Sequence, residues 1–178
     1  MMKSCLTMFL AACAFGLAGC ASTGDADAFE NAGVKEAQRM IADRRAECVL
    51  GKKGVLQARH GRGVMPLLDF YDQTPGKFAD TVVVDKVIGR AAAMIALRGG
   101  ARAVYGEVMS EDALELLGRH GVPAAYGQLV PRILNAKRDG LCPLEQSVAG
   151  IEDPAKALTA LRRRIAQLRA SAPRRGGR

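Results

Sequence analysis

Hydrophobic and polar positions divide this chain into short elements with clear borders. Apolar residues at Val34, Ala37, Met40 and Ile41 follow the spacing of one helical face and predict an amphipathic helix over Val34 to Ala46. Cys48-Val49-Leu50 and Val55-Leu56-Gln57-Ala58 flank the glycine-bounded turn Gly51-Lys52-Lys53-Gly54, which predicts a β-hairpin. A short helix carrying Leu67, Leu68 and Phe70 follows Pro66. The pattern is densest between Val82 and Gly100. From Val87 to Leu97 it is apolar almost all round apart from Gly89 and Arg90, as suits a helix inside a domain. Asp85 is the expected N-cap of that helix, and Gly99-Gly100 its expected left-handed close. Ala103 to Met109 then reads as a strand. Ser110 caps the next helix, with Glu111 and Asp112 in its first turn and Gly121 and Pro123 ending it. Ala124 to Val130 is the last expected strand and Pro131 to Asp139 a loop. Cys142 to Val148 is expected to form a short helix. Pro154 to Ala170 should form a longer one, with Leu158, Leu161, Ile165 and Leu168 on one side.

The order helix, hairpin, helix, strand, helix, strand and then helices implies an α/β domain, a three-layer α/β/α sandwich on a mixed sheet. Crossover helices would link its parallel strands in the right-handed sense. No internal repeat interrupts the reading.

The start of the chain belongs to a different kind of segment. Met1-Met2-Lys3 is a short positive region, and Cys5 to Leu17 is an apolar run too short to remain as a membrane span. It ends in Leu17-Ala18-Gly19-Cys20, which resembles a bacterial lipobox. That resemblance implies cleavage before Cys20, a diacylglycerol on its sulfur and acylation of its new amino terminus. Ala21 and Ser22, with no Asp after the Cys, resemble the pattern of lipoproteins sent to the outer membrane. The expected organisation is a signal peptide over 1–19, a tether over 20–33, a domain over 34–170 and a basic, disordered tail over 171–178. The expected location is the cell envelope, lipid-anchored and facing the periplasm, with palmitate-type acyl chains in the membrane.

The formal charge of +8 would suggest nucleic acid if it were spread over the domain. It is not. Eight basic residues and no acidic one follow Asp153; without them and Lys3, 17 basic residues face 18 acidic ones. The basicity is a C-terminal property, suited to anionic lipid headgroups. Aromatic residues make up 4% of the chain and Trp is absent, so platforms for stacking bases are lacking and no nucleic-acid partner is expected.

Candidate chemistry gathers at the expected start of the central helix. Lys86 places a cation where the helix dipole is already positive, Arg90 lies one turn on, and Gly89 leaves a gap beside them. The two cations read either as an anion site or as core-edge charges neutralised by Asp80, Asp85 or Glu107. Arg62 and Gly63 could form a second wall, and Ser110 stands at the start of the following helix. Cys142 precedes Pro143, with Glu145 three residues on, which reads as a box-like cap in which Glu145 reaches back to the Cys142 N–H. A thiol at a helix start is either a structural cysteine or a nucleophile, for which Asp85 and Glu145 are the candidate partners. Cys48 is the other cysteine of the domain, and the two could pair in an oxidising envelope.

From about Cys48 to Ile165 the chain resembles an uncharacterised bacterial and archaeal family, a domain of unknown function with a cytidine-deaminase-like fold. The motifs are Arg62-Gly63-Val64-Met65-Pro66-Leu67-Leu68, Asp85-Lys86-Val87-Ile88-Gly89-Arg90-Ala91-Ala92-Ala93 and Asp139-Gly140-Leu141-Cys142-Pro143-Leu144-Glu145. Zinc deaminases carry a His or Cys with a Glu at one helix start and Pro-Cys-x-x-Cys at the next. The corresponding starts here, read as Asp85-Lys86 and Ser110-Glu111, hold no such set, so neither zinc nor another cofactor is expected. The resemblance therefore implies a fold without its usual engine. The expected function is binding of a small anionic or nucleotide-like ligand. The alternatives are a Cys142-dependent enzyme, or a structural envelope protein with a vestigial pocket.

Overall fold

The computed structural model describes residue 29 and residues 33–74 and 78–171. The lipobox, Cys20 and the basic tail lie outside the described residues. A five-stranded mixed sheet runs in the order β2-β1-β3-β4-β5. Its strands are β1 (Cys48–Lys52), β2 (Val55–Arg59), β3 (Val82–Ile88), β4 (Ala103–Ser110) and β5 (Ala124–Val130). β1 pairs antiparallel with β2 and β3, while β3, β4 and β5 are mutually parallel. The helices are α1 (Val34–Ala42), α2 (Met65–Gln73), α3 (Arg90–Gly99), α4 (Glu111–Arg119), α5 (Pro143–Val148) and α6 (Pro154–Ser171). The three-layer α/β sandwich and the hairpin are as the pattern predicts.

Two cores lie on the two faces of the sheet because successive strand side chains alternate. Val82 and Val84 pack with Val49 and Ala103 against Val34, Ala37 and Ile41 of α1. Val83, Leu50 and Val104 face the larger core, which includes Met94 and Ile95 of α3, Leu116 and Leu117 of α4, and Leu158 and Leu161 of α6. α3 is buried almost throughout, as its apolar composition requires.

Its start is not where the pattern placed it. Val82–Ile88 is the central strand, and Gly89, not Asp85, is the N-cap of α3. Five of the seven residues in this segment are Val or Ile, which suit a pleated strand paired on both edges. Asp85 therefore sits in the sheet opposite Cys48 and Gly106, and Lys86 belongs to no helix dipole. The close at Gly100 is as predicted, with φ of 77°.

Arg90 is also resolved differently. Its side chain is 5% exposed and donates to Asp112 at 2.6 Å, Glu152 at 2.8 Å, Ile151 O at 2.7 Å and Val148 O at 3.2 Å. It is a core-edge cation, but its partners are Asp112 and Glu152 rather than Asp80, Asp85 or Glu107. Through them it ties α3 to α4 and to the turn between α5 and α6. Glu152 is held below the usual carboxylate range, chiefly by its hydrogen bond from Arg90. Arg119 extends the network to Glu115 and Glu152.

Part of the basic C-terminal segment is likewise used internally, since Arg162 of α6 pairs with Asp72 of α2. No helix among the described residues is long and apolar enough to cross a membrane.

Arg90→Met should destabilise the domain by about 2–4 kcal/mol in urea unfolding, because two carbonyl groups then lose a buried donor. An unchanged midpoint would show that the network is dispensable.

Candidate functional site

The carboxyl end of β3 opens into a cavity of about 150 Å³. Gly63, Asp85, Lys86, Gly89, Cys142 and Glu145, six of the residues singled out in the sequence, line it together with Glu47, Gly61 and Leu144. Three separate stretches of chain converge because β1 and β3 place Glu47 beside Asp85, α3 departs at Gly89, and α5 returns across the opening. Arg62 is exposed and stays outside the wall, and Arg90 is directed into its ion network instead. Ser110 caps α4, accepting from Ala113 N at 3.2 Å. It lines a neighbouring cavity of about 260 Å³ with Asp112, Arg132 and Gln146. Glu145 contributes to the walls of both cavities.

The positive end of α3 already holds an anion. Glu145 accepts from Arg90 N at 2.7 Å through Oε2 and from Ala91 N at 3.0 Å through Oε1. A carboxylate so placed satisfies two of the four orphan amides at a helix start and lies in the favourable field of the dipole. Gly89 permits the approach: a Cβ there would lie 2.6 Å from the Glu145 carboxyl carbon. This corrects two expectations. The gap at Gly89 receives a side chain of the same chain, and Glu145 caps α3 rather than reaching back to Cys142. The Cys142 N–H instead donates to Ile133 O at 3.1 Å. Burial raises the Glu145 carboxyl, while the Ala91 and Arg90 amides pull it back.

Asp85 forms the second carboxyl of the cavity and is 7% exposed. Its Oδ1 accepts from Val87 N at 3.0 Å, and the Cys48 thiol also bonds its carboxyl. Burial raises Asp85 to about 7 despite the lowering effect of those bonds and of the Lys86 N–H. The Cys48 thiol is pushed well up by its own burial and then by the Asp85 charge. Cys48 and Cys142 are both free thiols, Cys48 buried and Cys142 half-buried, so the expected pairing is absent. Cys142 faces the cavity and makes no side-chain cap bond.

Glu47 is a lining residue that sequence reasoning missed, and it pairs with His60, which stays outside the wall. His60 Nδ1 and Glu47 Oε2 lie 3.2 Å apart. Thirteen residues of hairpin separate them in the chain, so no local motif signals the pair. Only the antiparallel return of β2 beside β1 does.

The family model for TM1506, a domain of unknown function (DUF1893), matches residues 36–165. The chain belongs to the DUF1893 family. It is similar to a solved DUF1893 family protein from Thermotoga maritima at 21% identity and a TM-score of 0.66, covering 75% of this chain and 88% of that one. This likeness concerns the fold. No curated protein matches the chain. The matched segment contains all three motifs quoted above and every lining residue of the cavity.

The raised Asp85 carboxyl fixes the sign of a pH effect. The native state retains this proton from about pH 4, where an unfolded Asp loses it, up to about pH 7. Between those limits the native state binds more protons than the unfolded one, so stability falls as pH rises. The slope should be on the order of 1 kcal/mol per pH unit. Asp85→Asn should flatten it over that window in urea titrations; an unchanged slope would place its origin elsewhere.

Proposed function

We infer that this protein is a lipid-anchored envelope protein whose DUF1893 domain binds a small, flat, polar ligand at the carboxyl end of β3. The cavity carries this reading. At about 150 Å³ it has the volume of a space that admits one benzene-sized ring. A whole nucleotide would have to leave its phosphate outside. Lys86 is the one cation among the lining residues, which also include Glu47, Asp85 and Glu145. An acidic or singly anionic ring edge suits Lys86 together with a protonated Asp85. Glu145 already occupies the α3 amides, which disfavours a multiply charged anion there. The position agrees with ligand binding in open α/β sheets, outside the carboxyl ends of the strands where the chain changes direction across the sheet.

A relationship to cytidine deaminases remains part of the proposal, but the residues do not fit the zinc it would imply. The helix starts are Gly89-Arg90 and Ser110-Glu111, and neither carries a thiol or an imidazole. Among the described residues no three His, Cys, Asp or Glu side chains form a metal-holding group.

The envelope assignment rests on the order of charge, apolar run, small residues and Cys20. Two or more acyl chains anchor stably where one would not, at about 0.8 kcal/mol per buried methylene. Cys20→Ala should leave an unprocessed or soluble protein on fractionation. Full recovery of mature, membrane-bound protein from that variant would end the lipoprotein reading.

Orotate, a single charged ring, is a suitable probe of the cavity. It should raise the thermal midpoint of the wild type by a few degrees, and Lys86→Met should abolish the rise. Midpoints that are the same with orotate, with uracil and without ligand, together with a native mass spectrum from the membrane showing no bound mass, would overturn the binding function. A second reading, a Cys142-dependent enzyme, is favoured by the presence of Cys142 in the same cavity as Asp85.

A further inference from the structure

Between β5 and α5 the chain folds back on itself as a small finger. Asn135 N–H donates to Gly140 O at 2.9 Å and Cys142 N–H to Ile133 O at 3.1 Å, and Leu134 bridges Leu141 antiparallel. The turn closes through Arg138, whose N–H donates to Asn135 O at 3.0 Å and whose φ is 60°. Residues opposed across two strands present their side chains on one side, and their chain neighbours present theirs on the other. Ile133 and Cys142 accordingly line the cavity, while Leu134 and Leu141 are 44% and 37% exposed. Single exposed leucines need no explanation, but an opposed pair is a small apolar surface. Arg132, Lys137 and Arg138 flank it, all exposed. Among the described residues none of these three is in an ion pair, unlike Arg119 and Arg162. Asp139, the carboxylate of the finger, is taken by the Asn135 amide at 2.7 Å. Paired apolar side chains beside unpaired cations match the boundary between anionic headgroups and acyl chains.

We propose that this finger docks the domain on an anionic lipid bilayer, with Leu134 and Leu141 at the headgroup–acyl boundary and Arg132, Lys137 and Arg138 on the lipid phosphates. The inference rests on the lipid-anchored reading and adds the orientation that an anchor alone leaves free. A Cβ at Gly33 would lie 3.2 Å from Leu56, which pairs with Gly51, itself the partner of Val82 at the start of β3. The chain therefore enters α1 at the amino end of the parallel strands, whereas the finger follows β5 at their carboxyl end. A strand of seven residues separates the two ends by about 23 Å. The tether over 20–33 can span at most about 50 Å. Both ends can thus touch one bilayer, and the domain lies along the surface instead of hanging from its tether. Docking in this way brings the cavity, whose wall includes Ile133 and Cys142, to the membrane surface.

The chain contains no Trp, so Leu134→Trp gives the protein a single indole in the finger. Val55→Trp, at a residue 63% exposed in β2, gives one away from it. Each variant, purified from its membrane, is added to vesicles of phosphatidylcholine alone or mixed with phosphatidylglycerol. On the anionic vesicles the emission of L134W should move to shorter wavelength and be quenched by brominated acyl chains, while V55W stays unchanged. The shift should shrink on phosphatidylcholine alone and at 1 M salt, where charges act over only about 3 Å. Lys137→Glu with Arg138→Glu, added to L134W, should remove it. Ala136→Trp, at the exposed turn, takes the place of L134W if that variant does not fold. Unmoved emission on anionic vesicles, or equal changes in the finger variant and V55W, would overturn the proposal. A shift that appears without vesicles and grows with protein concentration would assign the finger to a second copy of the chain and also overturn it. Flotation of the same vesicles reports the anchor separately. Protein that floats with an unmoved finger retains the lipoprotein reading and loses this one. Protein that shifts on anionic vesicles but does not float with phosphatidylcholine ends the lipoprotein reading alone.

Discussion

A helix that starts inside a domain brings unpaired N–H groups with it, and something must accept from them. Here the acceptor comes from 55 residues further along the chain, as the carboxylate of Glu145 on the first amides of α3. That contact closes α5 over the carboxyl end of β3 and creates the cavity wall. It also explains Gly89, where any side chain would collide with the carboxylate. Arg90 completes the arrangement from the other side by clamping the α5–α6 turn through Val148, Ile151 and Glu152. One residue thus presents its backbone to Glu145 and its side chain to the segment that delivers Glu145.

Two of the cavity carboxyls, Asp85 and Glu145, are raised in the same direction but serve different roles. Glu145 is an acceptor tied to backbone donors, and its position is structural. Asp85 is buried more completely than its bonds from the Val87 and Lys86 amides and the Cys48 thiol can offset, and so holds its proton close to neutrality. A carboxyl in that condition can both donate and accept a hydrogen bond, which suits recognition of a polar ring edge. Two groups of the same type therefore differ because their surroundings differ.

Much of the fold was legible in the chain. The hairpin around Gly51–Gly54, the cap at Ser110, the left-handed Gly100 and the apolar stripe of α6 were set by local steric and hydrogen-bonding preferences. Local preference also determined that a buried helix would run through Ala91 to Leu97. The sequence marked Gly63, Asp85, Lys86, Gly89, Cys142 and Glu145 as unusual, and the fold gathers all six around one space.

What the chain could not reveal is how those residues are paired. Asp85 before an apolar run looks like an N-cap, and only the hydrogen bonds from β1 and β4 on either side make Val82–Ile88 a strand. Lys86 thereby loses the helix dipole on which the anion reading depended. The partner of Arg90 could not be chosen among the acidic residues, because Asp112 and Glu152 approach it only after α4 and α6 have packed. Glu47 and His60 carried no local signal for the same reason. Local sequence determined which backbone each segment prefers, since that depends on neighbours within a few residues. Which charge meets which was decided only by the tertiary structure, because an ion pair or a cap between distant segments has no energy until packing brings them within a few ångströms.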